Sequence, residues 1–383
     1  MTADVAPPVT APPLRIGLIG AGWRAQYFLR IARALPDRFA ITRVLVRSEE
    51  SANTVRAGWG APAALSATTN FDDFVRGAGF DYVIVCVPAS ASPDLIRRLA
   101  ALDIPVLAET PPAYALDDLV SLWADVGSAP VQVVEQYRFQ PHHAARIAVT
   151  RCGLIGHVTS THVSSAHGYH GVSLIRACLG VGFAPVEISA FGYPDRVVAT
   201  RGRGGWAPGE EIVASPTTLA VMRFEHTTGV FEFSPEQYFS PLRGRQVTIR
   251  GTRGEIRGDR VDWLVEAGDA VTGPTSTGHA VTGELRRDVT GIDGDLDGSH
   301  LRGVWLGERM LFDNRFAPAR LSDDEIAVAE TMHLMGEYML TGEGFSSLAD
   351  ASHDRYLAIL IERAVTSGAP VFSERQGWEG GGG

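Results

Sequence analysis

The stretch LRIGLIGAGWRA, residues Leu14 to Ala25, decides the fold of this chain. An apolar run ends in Gly-x-Gly-x-x-Ala, and helical spacing begins at Ala25. In this setting Gly20 permits a sharp strand–helix turn, Gly22 lets the backbone approach a pyrophosphate, and Ala25 allows close helix–strand packing. The alternative is an ordinary tight turn. The predicted cofactor contacts in this segment are Gly20, Gly22, Trp23, Arg24 and Ala25.

The chain continues as short apolar runs that alternate with helical patterns up to about Pro141. Such alternation with short connections predicts a parallel, doubly wound sheet, so we expect a Rossmann dinucleotide-binding domain over residues 14–140. The predicted strands cover residues 14–19, 41–46, 82–87, 106–108 and 131–134, and the longer helices cover residues 25–35, 93–102 and 116–126.

Strand-like runs then follow one another without intervening helices, which is typical of an antiparallel sheet. We therefore predict a second α/β domain over residues 141–376, with a large, mostly antiparallel sheet and helices at 323–340 and 352–367. Residues 268–297 are rich in Gly, Thr and Asp and are predicted to form a loop. Residues 1–13 and 377–383 are expected to be flexible and disordered tails.

Composition excludes several classes of function. The 383 residues carry a net charge of −10 and no cluster of basic residues, which argues against nucleic acid or an anionic membrane as partner. Three scattered cysteines form no disulfide framework or zinc spacing, and the amino terminus lacks a signal-peptide pattern. No apolar run reaches the roughly 20 residues of a membrane span. We expect a cytoplasmic protein that acts on a small molecule.

The end of the second predicted strand indicates the type of nicotinamide cofactor. An acidic residue there would bind the ribose 2′-hydroxyl of NAD, but this chain reads Leu45-Val46-Arg47-Ser48. Arg47 and Ser48 suit a 2′-phosphate, although Glu49 and Glu50 follow closely. We predict NADP as the cofactor, with NAD as second choice.

Taken together, these stretches resemble the glucose–fructose oxidoreductase, inositol dehydrogenase and rhizopine catabolism (Gfo/Idh/MocA) family. The resemblance covers nearly the whole chain. It implies a substrate domain whose open sheet face forms a homodimer or homotetramer, and it places Val87, Pro88 and Glu109 near the cofactor. The segments that carry it are residues 20–25, 81–88, 109–111, 153–158 and 356–371.

One expected catalytic group is missing. The family segment Glu-Lys-Pro reads Glu109-Thr110-Pro111 here, and the chain contains no lysine at all. The family's Asp-x-x-x-His element is similar to Ala166 through His170, so its histidine is retained and its aspartate is replaced. A later aspartate and an earlier histidine of the family correspond to Ser173 and Ser92.

Six residues are the candidates for chemistry and substrate binding. His170 is the predicted general acid or base, because imidazole titrates near neutrality. Tyr137 and Thr110 are further catalytic candidates, as donors of a proton or hydrogen bond. Glu135, His167 and Tyr169 are the predicted substrate contacts, since Glu135 follows the last parallel strand and the other two flank His170.

Each of these assignments has a simpler alternative. For residues 135–138 the alternative is a hinge with Arg138 in an ion pair, and for His167 it is a structural role. His162, His167 and His170 are a minor metal-site alternative, but no carboxylate or cysteine is nearby in sequence, and we predict no metal. The glycine-rich loop with Arg201, Arg203 and Trp206 either recognises an acidic substrate or is merely solvated.

The sequence therefore predicts an NAD(P)-dependent oxidoreductase that acts on a carbonyl or imine of a sugar, cyclitol or specialised metabolite. Two alternatives remain. One is a nucleotide-retaining lyase or glycosidase-type enzyme without net redox change, and the other is a non-catalytic ligand-binding protein.

Overall fold

A computed structural model describes residues 12–58, 65–265, 278–291 and 300–380 of the chain. Residues 1–11 of the predicted amino-terminal tail lie outside the described residues. Two sheets dominate the described part, one parallel and one mostly antiparallel, and helices cover them. The predicted α/β fold class is confirmed.

The first sheet has six parallel strands in the order β3-β2-β1-β4-β5-β6. Its central strands are apolar and fully enclosed, as expected when helices cover both faces of a parallel sheet: Ile16, Leu18, Val83 and Ile84 are all buried. The strands are β1 (Leu14–Ile19), β2 (Phe39–Leu45), β3 (Ser66–Thr68), β4 (Tyr82–Val85), β5 (Val106–Ala108) and β6 (Val131–Val133).

Helices connect these strands as right-handed crossovers require. The pattern was read correctly for most of them, with shifts of one or two residues at the ends. The helices are α1 (Ala25–Ala34), α2 (Glu49–Gly58), α3 (Phe71–Val75), α4 (Ser92–Ala100) and α5 (Leu116–Val126).

The second sheet has eleven strands within the described residues, in the order β20-β19-β18-β17-β16-β15-β7-β14-β13-β8-β21. All of its neighbours are antiparallel except β7 and β14. Four short strands outside this sheet form two two-stranded sheets, β10 with β11 and β12 with β9. In chain order, the strands of this half begin with β7 (Val158–Ser164), β8 (Glu187–Tyr193), β9 (Arg196–Val198), β10 (Arg201–Gly202), β11 (Gly205–Trp206), β12 (Ile212–Ala214), β13 (Thr217–Arg223) and β14 (Thr228–Phe233). They are followed by β15 (Gln246–Gly251), β16 (Gly254–Arg257), β17 (Arg260–Val265), β18 (His279–Thr290), β19 (His300–Leu306), β20 (Arg309–Asp313) and β21 (Val371–Phe372).

Four helices accompany the second sheet: α6 (Pro141–Arg151), α7 (Gly168–Leu179), α8 (Asp323–Thr341) and α9 (Leu348–Ser367). Helices α7 and α9 pack on one face of the sheet, and their apolar side chains join its core. Helix α8 instead packs against α1 and joins the core of the first sheet. The chain thus returns to the first sheet after β20, before α9 and β21 rejoin the second sheet.

Two predictions about irregular segments are wrong. The loop expected at 268–297 contains the strand β18 (His279–Thr290), which pairs with β17 and β19. Its polar side chains gave it the sequence pattern of a loop. Residues 266–277 and 292–299 lie outside the described residues. The tail expected at 377–383 begins with a 3-10 helix, Gly377–Gly380, because Trp378 is buried against Tyr356. Of the helices in the described ranges, none has the length and apolarity needed to cross a bilayer.

Candidate active site

The turn after β1 has the shape that a dinucleotide phosphate requires. Gly20 has φ +124°, and a Cβ built there would lie 2.0 Å from the carbonyl oxygen of Cys86, so only glycine fits. A Cβ at Gly22 would meet nothing within 4 Å, which leaves open space beside the backbone. Helix α1 begins without a side-chain cap and without an acidic residue in its first turn. These features fit an anionic cofactor group at the helix start.

Arg24 sits between this turn and two carboxylates from distant segments. Its guanidinium lies 2.7 Å from Glu109 after β5 and 3.0 Å from Asp324 in the first turn of α8. Burial alone would lower the pKa of Arg24, but the two negative charges raise it above its ordinary value. The Arg24 side chain is thus committed to ion pairs that tie three segments together, and only its backbone is left for a phosphate.

The end of β2 carries the two residues predicted to contact a 2′-phosphate. Ser48 uses its hydroxyl to accept a hydrogen bond from the Ser51 N–H at 3.2 Å, and so it caps α2. Arg47 is exposed, and among the described residues no carboxylate lies within ion-pair distance of it. Arg47 therefore has a guanidinium available for a ligand, whereas Ser48 is partly occupied.

Val87 and Pro88 follow β4 at the same sheet edge. The neighbouring Cys86 N–H donates to the Ile19 carbonyl at 2.8 Å, which draws this segment to the turn after β1. Pro88 is exposed and its carbonyl accepts the first hydrogen bonds of α4. The predicted cofactor contacts at Val87 and Pro88 thus lie beside those of the glycine turn.

Glu135 and His170 form a buried pair at the other side of the cleft. Glu135 follows β6, and His170 lies in the first turn of α7. Glu135 Oε2 lies 2.6 Å from His170 Nδ1, while Oε1 accepts the Tyr137 N–H at 3.1 Å. The side chains of Glu135 and His170 are 2% and 7% exposed. The sequence predicts Glu135 as a substrate contact, but both of its oxygens are used to hold its neighbours.

This pairing fixes how His170 can react. A carboxylate accepts the Nδ1 proton, so the second ring nitrogen, Nε2, is the atom left to exchange a proton. Within the described residues Nε2 has no hydrogen-bond partner, and it retains contact with solvent. The arrangement is that of a general acid or base oriented by a third group.

Three rings surround the imidazole of His170. The ring centroids of Tyr137, His167 and Tyr169 lie 4.6, 4.9 and 4.4 Å from that of His170. The structure therefore brings together four of the residues that the sequence selects for this site. Burial raises the pKa of both tyrosines, so each phenol is a neutral hydrogen-bond donor.

Tyr238 holds His167 at two points. The Tyr238 oxygen accepts from the backbone N–H of His167 at 3.0 Å and lies within hydrogen-bond distance of His167 Nδ1. Burial, followed by the charges of His170 and Arg203, lowers the pKa of His167 to about 3. His167 is therefore neutral near pH 7.

Thr110 lies between Glu109, which pairs with Arg24, and Tyr169, which packs against His170. The Thr110 side chain lies near the Tyr169 phenol and lowers the pKa of that phenol slightly against the effect of burial, and its N–H donates to the Glu109 carboxylate at 3.2 Å. Glu109 in turn binds Arg24. Thr110 thus links the cofactor turn to the His170 cluster, although a hydroxyl supplies no positive charge.

The described residues do not form two arrangements that the sequence left open, the three-histidine metal site and the hinge with an Arg138 ion pair. His162 pairs with Glu232 on β14 at 3.0 Å, and no group of three metal-binding side chains occurs within the described ranges. Arg138 donates to the Phe345 carbonyl, without the ion pair expected for a hinge. Arg203 is not simply solvated, because its guanidinium lies 4.0 Å from the Trp23 ring centroid.

Sequence reasoning missed Asp324 and Tyr238. Asp324 lies within a capping box formed by Ser322 and Glu325, and this box signals a helix start but does not reveal Arg24 as the partner of Asp324. Tyr238 ends a short 3-10 helix and has no local pattern that predicts contact with His167. Both contacts join segments that are far apart in sequence, and nothing in a single sequence aligns them.

Residues 14–137 match the sequence profile of the family Gfo/Idh/MocA, described as an oxidoreductase family with an NAD-binding Rossmann fold. The match covers the first of the two domains. The resemblance read from the sequence, the oxidoreductase class and the nicotinamide-binding domain are thereby confirmed. No curated protein sequence matched the chain.

Solved structures of similar fold cover almost the whole chain. A myo-inositol dehydrogenase from Corynebacterium glutamicum has 16% identity and TM-score 0.61, with 95% of this chain and 99% of that chain covered. An oxidoreductase from Agrobacterium radiobacter in complex with NAD+, L-tartaric acid and magnesium has 17% identity and TM-score 0.63, with 94% and 98% covered. A levoglucosan dehydrogenase in complex with NADH has 14% identity and TM-score 0.66, with 95% and 100% covered. At these identities the likeness shows a common fold.

Proposed function

We propose that this protein transfers hydride between a nicotinamide cofactor and a hydroxyl, carbonyl or imine carbon of a sugar, cyclitol or similar polar metabolite. The observation that carries the proposal is the buried Glu135–His170 pair. Tyr169 packs against His170 and lies near Thr110, whose N–H donates to Glu109, the partner of Arg24 in the glycine turn. Neighbouring folds that bind NAD(H) and act on polyols or anhydrosugars support the substrate class.

The cofactor site is built mostly from backbone. The glycine turn and the start of α1 would hold the pyrophosphate, and the segment from Cys86 to Pro88 would line the cofactor's path towards Thr110. When bound, the nicotinamide accepts or supplies the hydride. The protein then has to position the substrate and move one proton.

His170 is the group that we assign to the proton. Glu135 holds its Nδ1–H, so Nε2 takes the proton from a substrate hydroxyl during oxidation and returns it during reduction. Tyr169 and the neutral His167 lie around the same ring and are suited to hydrogen bonds with substrate oxygens, while Tyr137 packs against it. Thr110 lies beside Tyr169 and replaces the family's lysine without its charge.

We also propose that the cofactor preference is for NADP(H), because Arg47 is exposed at the end of β2 with no carboxylate in ion-pair distance among the described residues. A fluorescence titration with NADPH and NADH tests this. We expect NADPH to bind at least threefold more tightly in the wild type and equally in Arg47→Ala. Tighter binding of NADH would contradict the preference; the similar folds named above contain NAD+ or NADH.

We infer a homodimer or homotetramer built through the open face of the eleven-stranded sheet. Helices α7 and α9 cover one face, while Phe191 and Tyr193 on β8 are exposed at 55% and 40% on the other. Light scattering of the wild type and of Phe191→Glu checks this inference. A monomeric wild type would contradict it.

The test of the proposed activity is a turnover screen that follows nicotinamide absorbance in both directions. The panel contains polyols, aldoses, cyclitols, uronates and their ketones, each with NAD(H) and NADP(H). At least one pair should turn over. Tight NADH binding without any turnover would contradict the proposed activity and favour a non-catalytic ligand-binding protein.

A further inference from the structure

The hairpin formed by β10 and β11 places an arginine at the mouth of the candidate active site. Arg201 pairs with Trp206, and the turn between the strands carries Arg203. The Arg201 guanidinium donates to the Phe239 carbonyl at 2.7 Å, and the Ala207 N–H donates to the Thr200 carbonyl at 2.6 Å. The hairpin is thus anchored at its base and to the segment that carries Tyr238.

Arg203 bridges the two halves of the cleft. Its guanidinium lies 4.0 Å from the ring centroid of Trp23, in the glycine turn, and 6.0 Å from that of Phe239. Phe239 stacks edgewise with Tyr238, and Tyr238 contacts His167. A chain of rings therefore leads from Arg203 to the substrate side of the site.

The other cations around the site are already engaged. Arg24 pairs with Glu109 and Asp324, and Arg355 pairs with Glu362. Arg245 donates to the backbone carbonyls of residues 237 and 238. Within the described residues, Arg203 has no carboxylate in ion-pair distance, and its contacts are aromatic faces. Its five N–H donors remain available for a planar anion.

We propose that Arg203 selects substrates that carry a carboxylate, binding that group at the mouth of the cleft while the reacting carbon lies at His170. This inference rests on the proposed dehydrogenase function. The second domain supplies His167 and His170, and the same domain supplies Arg203. With Thr110 in place of a lysine, Arg203 is the cation left to set the charge preference of the substrate half.

A matched pair of non-reducing probes tests the proposal: the methyl β-glycosides of glucose and of glucuronic acid, which differ by one carboxylate. Calorimetry measures their dissociation constants on the NADH-loaded protein. We expect the glucuronide to bind roughly tenfold or more tightly than the glucoside, as a charge-assisted bidentate contact implies. In Arg203→Gln the difference should fall below threefold, and Arg203→Lys should be intermediate.

The control is Arg223→Gln, which removes an arginine that pairs with Glu187 within the eleven-stranded sheet. This variant should keep the wild-type preference for the glucuronide. Equal binding of the two probes, or no binding of either, overturns the proposal. So does a tenfold loss of NADH affinity in Arg203→Gln, because the arginine would then serve the cofactor phosphates. Failure of the wild-type protein to bind either NADPH or NADH would instead refute the proposed function.

Discussion

The two halves of the cleft use different materials. The cofactor half is formed mainly by backbone: Gly20 and Gly22 shape a turn, and the side chain of Arg24 stabilises that turn through an ion pair. The substrate half is formed by side chains: Glu135 and three rings surround His170. All eleven histidines of the chain lie after residue 141. The comparison teaches that binding and proton transfer can be damaged separately.

The largest effect expected after loss of His170 itself is that of Glu135→Gln. An amide gives His170 Nδ1 a weaker hydrogen-bond acceptor than a carboxylate and orients the ring less firmly, so we expect kcat to fall roughly 10- to 1,000-fold. NADH affinity should stay within twofold, because the cofactor turn is untouched. Steady-state kinetics and fluorescence titration separate the two quantities. An equal loss of kcat and of NADH affinity would show that the cofactor half and the substrate half are not independent.

The two glycines of the turn should fail in different ways. Gly20→Ala places a Cβ against the Cys86 carbonyl at positive φ, and we expect it to reduce the free energy of unfolding by roughly 2–4 kcal/mol. A Cβ at Gly22 would meet no protein atom within 4 Å. We therefore expect Gly22→Val to keep the wild-type free energy of unfolding while its NADH affinity falls about tenfold or more. Chemical denaturation and NADH titration on both variants check the contrast. Loss of stability in both would remove Gly22 from the cofactor site.

Acid should destabilise the substrate half. Burial, followed by the charge of Arg176, lowers the pKa of His353 to about 3, and burial with the charges of His170 and Arg203 does the same for His167. Unfolded histidine titrates near 6.5, so the unfolded chain binds more protons between pH 6.5 and 3, and stability falls as pH drops through that window. We expect His353, which is 1% exposed, to account for about 1–2 kcal/mol between pH 7 and pH 5.

The variant His353→Gln isolates that contribution. Denaturant midpoints at pH 7 and pH 5 should differ less in the variant than in the wild type, because glutamine does not titrate. His226→Gln is the control, since His226 lies on an exposed turn. An unchanged pH dependence in His353→Gln would show that His353 is not the neutral, buried group described above.

The smallest expected effect concerns Thr110→Lys. The substitution restores the family's residue but replaces the small hydroxyl beside the Tyr169 phenol with a longer, charged side chain, so we expect kcat to fall about three- to tenfold. Thr110→Ser, which keeps the hydroxyl, should retain most of the activity. A gain of activity in Thr110→Lys would mean that the site lacks its catalytic cation and is not adapted to threonine.

Local patterns predicted the cofactor half better than the substrate half. The glycine turn, the parallel strands and the helices are encoded by contiguous residues, and the structure confirms them. His170 was reachable through one retained motif position. Its partner Glu135 lies 35 residues earlier, and its role depends on packing between the segment after β6 and the start of α7. The strand β18 was missed because polar side chains on an exposed strand resemble a loop.

The most direct test measures two quantities on His170→Ala, using the first substrate found in the turnover screen. The account predicts that kcat falls at least 100-fold while the NADH dissociation constant stays within twofold of the wild type. His162→Ala, which removes a histidine paired with Glu232 outside the cluster, should match the wild type in both. A His170→Ala protein that turns over as fast as the wild type would contradict the account.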